Sequence, residues 1–227
     1  MKTTAHFPPP TRFAAQAAGI AAALGLTAHL GMAAGLIGWW NFEKDLLDTS
    51  GHGLSGSQLG TPTYQANPPE GLMSTQSIRF DQDSDGVRIS AAATLNAPYF
   101  TLGYFINLLG APSANSGLER LTSRQAWAFE TAVGNAAAIG GTSSPSGTTL
   151  SYYSGSTGWV ATHVEVPPDG WLHVAWQNSA TKMKLFLNGE LAYTGKAVTS
   201  AISGFMNIGN AMNNGEGFDG AMDDVFL

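Results

Sequence analysis

The clearest alternation of apolar and polar positions runs from residue 171 to residue 193. Leu172, Val174 and Trp176 alternate with Trp171, His173 and Ala175, and Met183, Leu185 and Leu187 resume the alternation after the polar break at 177–181. A period of two with aromatic and β-branched residues predicts half-buried strands. Asn188-Gly189 is a two-residue hairpin signal, because its type I′ turn needs positive φ at both positions. Three successive antiparallel strands are therefore expected here.

The pattern recurs along the chain in weaker form. In residues 35–43, Trp40 and Phe42 fall on one face of a strand and Ile37 and Trp39 on the other. Residues 77–81 and 86–90 frame a tight acidic turn and read as a hairpin. Residues 99–108 are apolar enough for a central strand, and 120–131 offer one or two more around Trp127 and Phe129. Residues 134–148, rich in Gly, Ser, Thr and Ala, read as a loop. Residues 150–153 and 159–163 form a second hairpin, and Pro167-Pro168-Asp169-Gly170 turns the chain into the central one. Residues 206–209 and 218–227 supply the last strands. Residues 1–34 differ from the rest. Lys2 and Arg12 precede an Ala-, Leu- and Gly-rich run whose only ionisable residue is His29, the layout of a secretory signal with cleavage after Ala33 or Ala34. An uncleaved membrane helix is the competing reading.

Composition narrows the class. With 227 residues, 28 of them glycine and only 11% charged, the chain suits one all-β sandwich. Ten Lys+Arg against sixteen Asp+Glu give a formal charge of −6, without the basic cluster that nucleic-acid binding needs. There is no cysteine, so the fold rests on its core or on a metal.

Four motifs in order, Trp40-Asn41-Phe42-Glu43, Asp48-Thr49-Ser50-Gly51-His52-Gly53, the Trp171–Leu191 hairpin and Phe218-Asp219-Gly220-Ala221-Met222-Asp223-Asp224-Val225, resemble the laminin-G-like, concanavalin A-like jelly-roll domains. The resemblance covers residues 36–227 and is faint between 91 and 160. It implies a jelly-roll β-sandwich of two antiparallel sheets. It also implies a structural calcium where the first and last strands meet, with Glu43, Asp48 and Asp223 as the matching carboxylates and His52 where asparagine is common. The alternative role for Asp48 is to cap an Asx-turn, and for Asp223 to accept backbone hydrogen bonds. Such domains carry a few more residues after the final strand, so a truncated end with a partly unpaired edge is expected.

Catalytic signatures are missing from the sequence. The segment 81–86 begins like an EF-hand loop, but Ala92 stands where the bidentate glutamate belongs. The seven glutamates are scattered, with none of the strand spacing of a glucanase on this fold, and no Gly-x-Ser-x-Gly elbow or His-x-x-x-His pair occurs. His173 is expected to be a hydrogen-bonded structural residue. Sugar binding needs exposed rings with polar side chains around them. Tyr152, Tyr153 and Trp159, flanking a Gly/Ser loop, are the leading candidates, with Tyr64, Trp127, Arg124 and Asn135 secondary and core packing the competing role for each. The expectation is a noncatalytic, secreted or surface-exposed recognition module. Its partner would be a glycan or a cell-surface protein, and membrane contact would come only through an uncleaved N-terminal segment. A self-assembling surface-layer subunit or an accessory module of an extracellular glycoside hydrolase are the alternatives.

Overall fold

The computed structural model describes residues 35–109, 117–125, 128–134, 148–168, 170–199 and 203–227. The expected leader, Trp127, Asn135 and most of the expected 134–148 loop lie outside them. The chain divides into Met1–Leu36 and Ile37–Leu227, and the described strands all belong to the second unit. They are β1 (Trp39–Trp40), β2 (Gly56–Leu59), β3 (Thr63–Gln65), β4 (Ser77–Phe80), β5 (Gly86–Ile89), β6 (Phe100–Leu108), β7 (Leu118–Arg124), β8 (Phe129–Gly134), β9 (Thr149–Ser154), β10 (Gly158–Glu165), β11 (Trp171–Asn178), β12 (Lys182–Leu187), β13 (Glu190–Lys196), β14 (Met206–Ile208) and β15 (Gly220–Phe226). No helix among the described residues is long and apolar enough to cross a membrane.

The strands form two antiparallel sheets, in the orders β13-β12-β11-β6-β15-β4-β3, with β1 beside β15, and β10-β9-β8-β7-β14-β5-β2. Alternation decides which side chains fill the space between them. Leu172, Val174 and Trp176 of β11 and Leu102, Tyr104 and Ile106 of β6 are buried, and they face Phe129, Val133, Leu150 and Tyr152 of the other sheet. A buried polar relay also links the sheets. Trp176 Nε1 donates to Tyr104 Oη (2.9 Å), Tyr104 Oη donates to Thr131 Oγ1 (3.0 Å), and the Thr131 and Thr122 hydroxyls are hydrogen-bonded to each other (2.8 Å). Every member is satisfied, so the relay fixes the relative placement of the sheets without leaving an orphaned polar group.

The β11–β12–β13 meander is as expected, with Asn188 at φ 48° and Gly189 at φ 85° in its second turn. Four expectations are corrected. Residues 77–81 and 86–90 are not a hairpin, because β4 and β5 belong to different sheets and the acidic turn carries the chain between them. Buried Asp85 holds that crossing, accepting from Thr61 N (2.7 Å), Asp81 N and Gln82 N (both 3.2 Å). The first strand shrinks to Trp39–Trp40, because Phe42 and Lys44 take positive φ (49° and 68°) and leave the extended region. The last strand is not an exposed edge. β15 lies between β6, β4 and β1, and Leu227 N donates to Gly38 O (2.9 Å). His173 is packed rather than hydrogen-bonded through its ring: it lies between Phe105 and Phe226 at centroid distances of 4.8 and 6.3 Å, and burial lowers its pKa.

Candidate functional site

Strand register places one outward-facing row across the whole seven-stranded sheet. Trp159 of β10 pairs with Tyr153 of β9, Tyr153 with Glu130 of β8, Glu130 with Ser123 of β7, Ser123 with Asn207 of β14, Asn207 with Arg88 of β5, and Arg88 with Ser57 of β2. Odd and even positions separate cleanly on β9. Leu150 and Tyr152 point into the core, while Thr149, Ser151 and Tyr153 point outward. Of the three aromatic candidates, Tyr152 is therefore a core residue. It is 0% exposed, its ring packs on Trp176, and its hydroxyl donates to Lys196 O (2.8 Å). Tyr153 and Trp159 are half-buried and meet edge to face at 5.4 Å. The secondary candidates Tyr64 and Arg124 also turn inward. Tyr64 packs on the core, and burial raises its pKa. Arg124 is buried, donates to Leu95 O (2.7 Å), and is lowered by desolvation to about 10.

Beside the aromatic pair sits a charged triad that sequence spacing does not reveal. Arg120 Nε donates to Glu130 Oε2 (3.1 Å), Arg120 Nη2 pairs with Glu216 Oε2 (2.7 Å), and the guanidinium lies 4.5 Å from the Trp159 ring centroid. Glu130 is fully buried, and desolvation outweighs the Arg120 charge, pushing its pKa up to about 7. Among the described residues its Oε1 has no hydrogen-bond partner, and neither do the buried hydroxyls of Ser151 and Thr149 on the same face. At the other end of the row the loop 209–219 is tied down. Asn210 O accepts from Ser123 Oγ (2.9 Å), Ala211 O from Asn207 Nδ2 (2.7 Å), and Asn214 Oδ1 from Arg88 Nη2 (3.1 Å). The face thus carries a half-exposed ring pair, with the Ser151 and Thr149 hydroxyls and the unpartnered Glu130 oxygen buried on the same side of the sheet.

The carboxylates matched to calcium separate into two groups. Asp48 belongs to its own loop. Oδ1 accepts from Trp39 N (3.0 Å) and Ser50 N (2.9 Å), and Oδ2 accepts from Leu54 N (2.9 Å). Burial raises its pKa, but the hydrogen bonds from Ser50, Leu54 and Trp39 together outweigh that and leave it lowered. Glu43 accepts from Thr75 Oγ1 (2.5 Å) and Thr75 N (2.6 Å). Asp223, 0% exposed, accepts from Asp224 N through Oδ1 (2.9 Å), and its Oδ2 meets no hydrogen-bond partner within 3.5 Å among the described residues. Burial first, then the charges of Asp224 and Glu43, push Asp223 up to about 7. The adjacent Asp224 is also raised, by burial and by Glu43, and accepts from Trp39 Nε1 (2.7 Å). Among the described residues no three such side chains converge closely enough to enclose an ion alone. The orphaned oxygen and mutual repulsion at Glu43, Asp223 and Asp224 nevertheless suit a cation that takes its remaining oxygens from carbonyls and water.

The family model of the concanavalin A-like lectin/glucanases superfamily matches residues 81–227, and the chain belongs to that superfamily. No curated protein matches it. Among solved structures it is similar to domain 4 of AbnA, a GH43 extracellular arabinanase from Geobacillus stearothermophilus in complex with arabinotriose (TM-score 0.62, 15% identity, 85% of this chain and 91% of that one). It is also similar to a Trypanosoma rangeli sialidase (0.59, 13%, 85% and 30%) and to the binding domain of botulinum neurotoxin serotype D (0.55, 15%, 85% and 47%). The chain thus spans nearly all of the arabinanase domain, about half of the toxin domain and under a third of the sialidase. At these identities the likeness is one of fold.

Proposed function

We propose that this protein is a noncatalytic carbohydrate-binding module that acts outside the cell. The outer face of its seven-stranded sheet is the binding face. Trp159 and Tyr153 form the stacking platform, and Glu216, the most exposed member of the Arg120–Glu130–Glu216 triad, is the polar contact beside it, while Glu130 and the Ser151 and Thr149 hydroxyls lie buried on the same face. The observation that carries this reading is the Trp159–Tyr153–Glu130 row, with buried acceptors left unpartnered beside a half-exposed ring pair. The arabinotriose complex of the AbnA domain supports it at the level of fold, and the signal-like residues 1–34 support the location. A calcium at Glu43, Asp223 and Asp224 would neutralise the acidic corner where β1 meets β15, a stabilising role. Titration calorimetry with arabino-, xylo- and galacto-oligosaccharides tests the function. Trp159→Ala should weaken binding about thirtyfold, as for an interfacial tryptophan worth ~2 kcal/mol, with the melting temperature kept. Unchanged affinity in that variant would remove Trp159 from the site.

One observation favours assembly as a second reading. On the outer face of the eight-stranded sheet, Leu191 (56% exposed), Phe186, Phe226 and Trp39 (38% exposed) follow one another across paired strands. Such an apolar stripe suits contact between copies. Sedimentation of the protein and of Leu191→Lys over a range of concentrations decides it, since a single monomeric boundary for the unmodified protein excludes assembly.

A further inference from the structure

We propose that the glycan bound on the seven-stranded face is uncharged, and that the face discriminates against sialylated and uronic-acid-bearing chains. This rests on the carbohydrate-binding reading above. The argument begins with the cations. Outside residues 1–34 the sequence contains eight Lys and Arg residues, at 44, 79, 88, 120, 124, 182, 184 and 196, and the structure describes all of them. Lys182, Lys184 and Lys196 lie on β12 and β13 and Arg79 on β4, all in the other sheet, and Arg79 is paired with Asp219 at 2.7 Å. Lys44 lies between β1 and β2. Arg124 is turned into the core. Among the described residues only Arg88 and Arg120 reach the outer face of the seven-stranded sheet, and both are committed. Arg88 donates to Asn207 Oδ1 (3.0 Å) and Asn214 Oδ1 (3.1 Å) and lies 4.2 Å from the Phe205 ring centroid. Arg120 is shared between Glu130 and Glu216.

An anionic sugar on this face would therefore find no free counter-charge. It would approach two carboxylates held by a single guanidinium, on a protein of formal charge −6. Recognition of a carboxylate by a protein normally uses an uncommitted arginine fork. The polar atoms left unpartnered here, all buried, have the opposite character. Glu130 Oε1 only accepts while ionised, so it asks for an O–H donor, and the Ser151 and Thr149 hydroxyls can give or take a hydrogen bond. A neutral polyhydroxylated ring supplies such donors. A carboxylate supplies none and adds like-charge repulsion, the arrangement by which interfaces reject wrong partners.

Matched probes test this: galactotriose against trigalacturonic acid, and lactose against 3′-sialyllactose, by calorimetry at pH 8 where imidazole carries no charge. The neutral member of each pair should bind about tenfold tighter or more. The preference should shrink as salt screens the repulsion. It should also narrow in Glu216→Gln, which leaves Arg120 Nη2 without its carboxylate; a melting curve establishes that this variant is folded. Acidic glycans binding as well as the neutral ones would overturn the inference and leave the carbohydrate reading standing. A preference unmoved by both salt and Glu216→Gln would overturn its electrostatic basis. Failure of every glycan, including arabino-oligosaccharides, would overturn the binding reading itself and this inference with it.

Discussion

Replacing Asp223 by asparagine separates the two roles its carboxylate can have. Asparagine keeps an oxygen to accept from Asp224 N and keeps the volume, but it removes the charge. In the folded protein Asp223 is raised from 3.8 to about 7 by burial and by the neighbouring charges of Asp224 and Glu43. A group raised on folding contributes stability that is fully present below its unfolded value. That contribution is lost as pH rises through the folded one. Metal-free protein should therefore lose stability between about pH 4 and pH 7. A shift of about three units at ~1.4 kcal/mol each bounds the loss at about 4 kcal/mol, and coupling to Asp224 and Glu43 makes about 2 kcal/mol a sounder expectation. For a domain of this size ~1 kcal/mol moves the melting point by about 2–4 °C. Asp223→Asn in chelator at pH 8 should then melt about 4–8 °C above the unmodified protein, with the gap closing toward pH 4. Excess calcium should raise the unmodified protein by RT ln(1 + [Ca]/Kd) and leave the variant unmoved. Differential scanning calorimetry over pH, with and without calcium, reads both effects. Glu130 is raised to about the same value and contributes equally to both proteins, so the difference between them isolates Asp223. Lower melting of the variant at pH 8 in chelator would refute the reasoning, and would make the carboxylate a hydrogen-bonding scaffold.

Three further substitutions probe the frame around the site. Asp48→Ala removes the acceptor of three backbone N–H groups and should cost about 2–4 kcal/mol by chemical denaturation, with the calcium response retained if Glu43, Asp223 and Asp224 hold the ion. Tyr152→Phe deletes the hydroxyl that donates to Lys196 O and lies beside Tyr193, so about 1 kcal/mol of stability should be lost while glycan affinity stays unchanged. A Cβ at Gly103 would collide with the Phe226 ring that lies across it, so Gly103→Ala should destabilise by about 1–3 kcal/mol in a urea melt without changing glycan affinity.

The sandwich was legible because its strongest strands obey a period of two and their turns need particular backbone signs. Asn188-Gly189 is the plain case. The β4–β5 crossing was not legible, since a tight acidic turn between two alternating segments looks the same whether the strands pair or pass to opposite sheets. Parity could have assigned Tyr152 from the sequence. It shares its face with Leu150, while Tyr153 shares its face with the polar Ser151 and Thr149. The triad left no local signal at all. Arg120, Glu130 and Glu216 meet only because β7 pairs with β8 and the 209–219 loop folds over both. Asp224 was hidden for a different reason. In a regular strand it would point away from the face of Asp223, but the irregularity between Asp223 and Phe226, with Asp224 at φ 44°, brings it into the field of Glu43 instead.

Two carboxylates in this fold show the same local symptom. Asp223 and Glu130 are each fully buried, each pushed to about 7, and each left with one oxygen unpartnered. A partner missing from an ionised buried group costs more than a typical hydrogen bond returns, so both positions would relax to apolar residues if packing alone shaped them. Their neighbours differ, and that decides what each is suited to receive. Around Asp223 stand Glu43 and Asp224, so adding a proton donor alone would leave the excess negative charge in place, and a cation relieves it. Around Glu130 stand an arginine already sharing its charge, two hydroxyls and a pair of aromatic rings. A cation there would compete with Arg120, whereas a neutral hydroxyl donor completes the shell. The same defect in different surroundings thus separates the proposed metal position on one sheet from the proposed sugar position on the other.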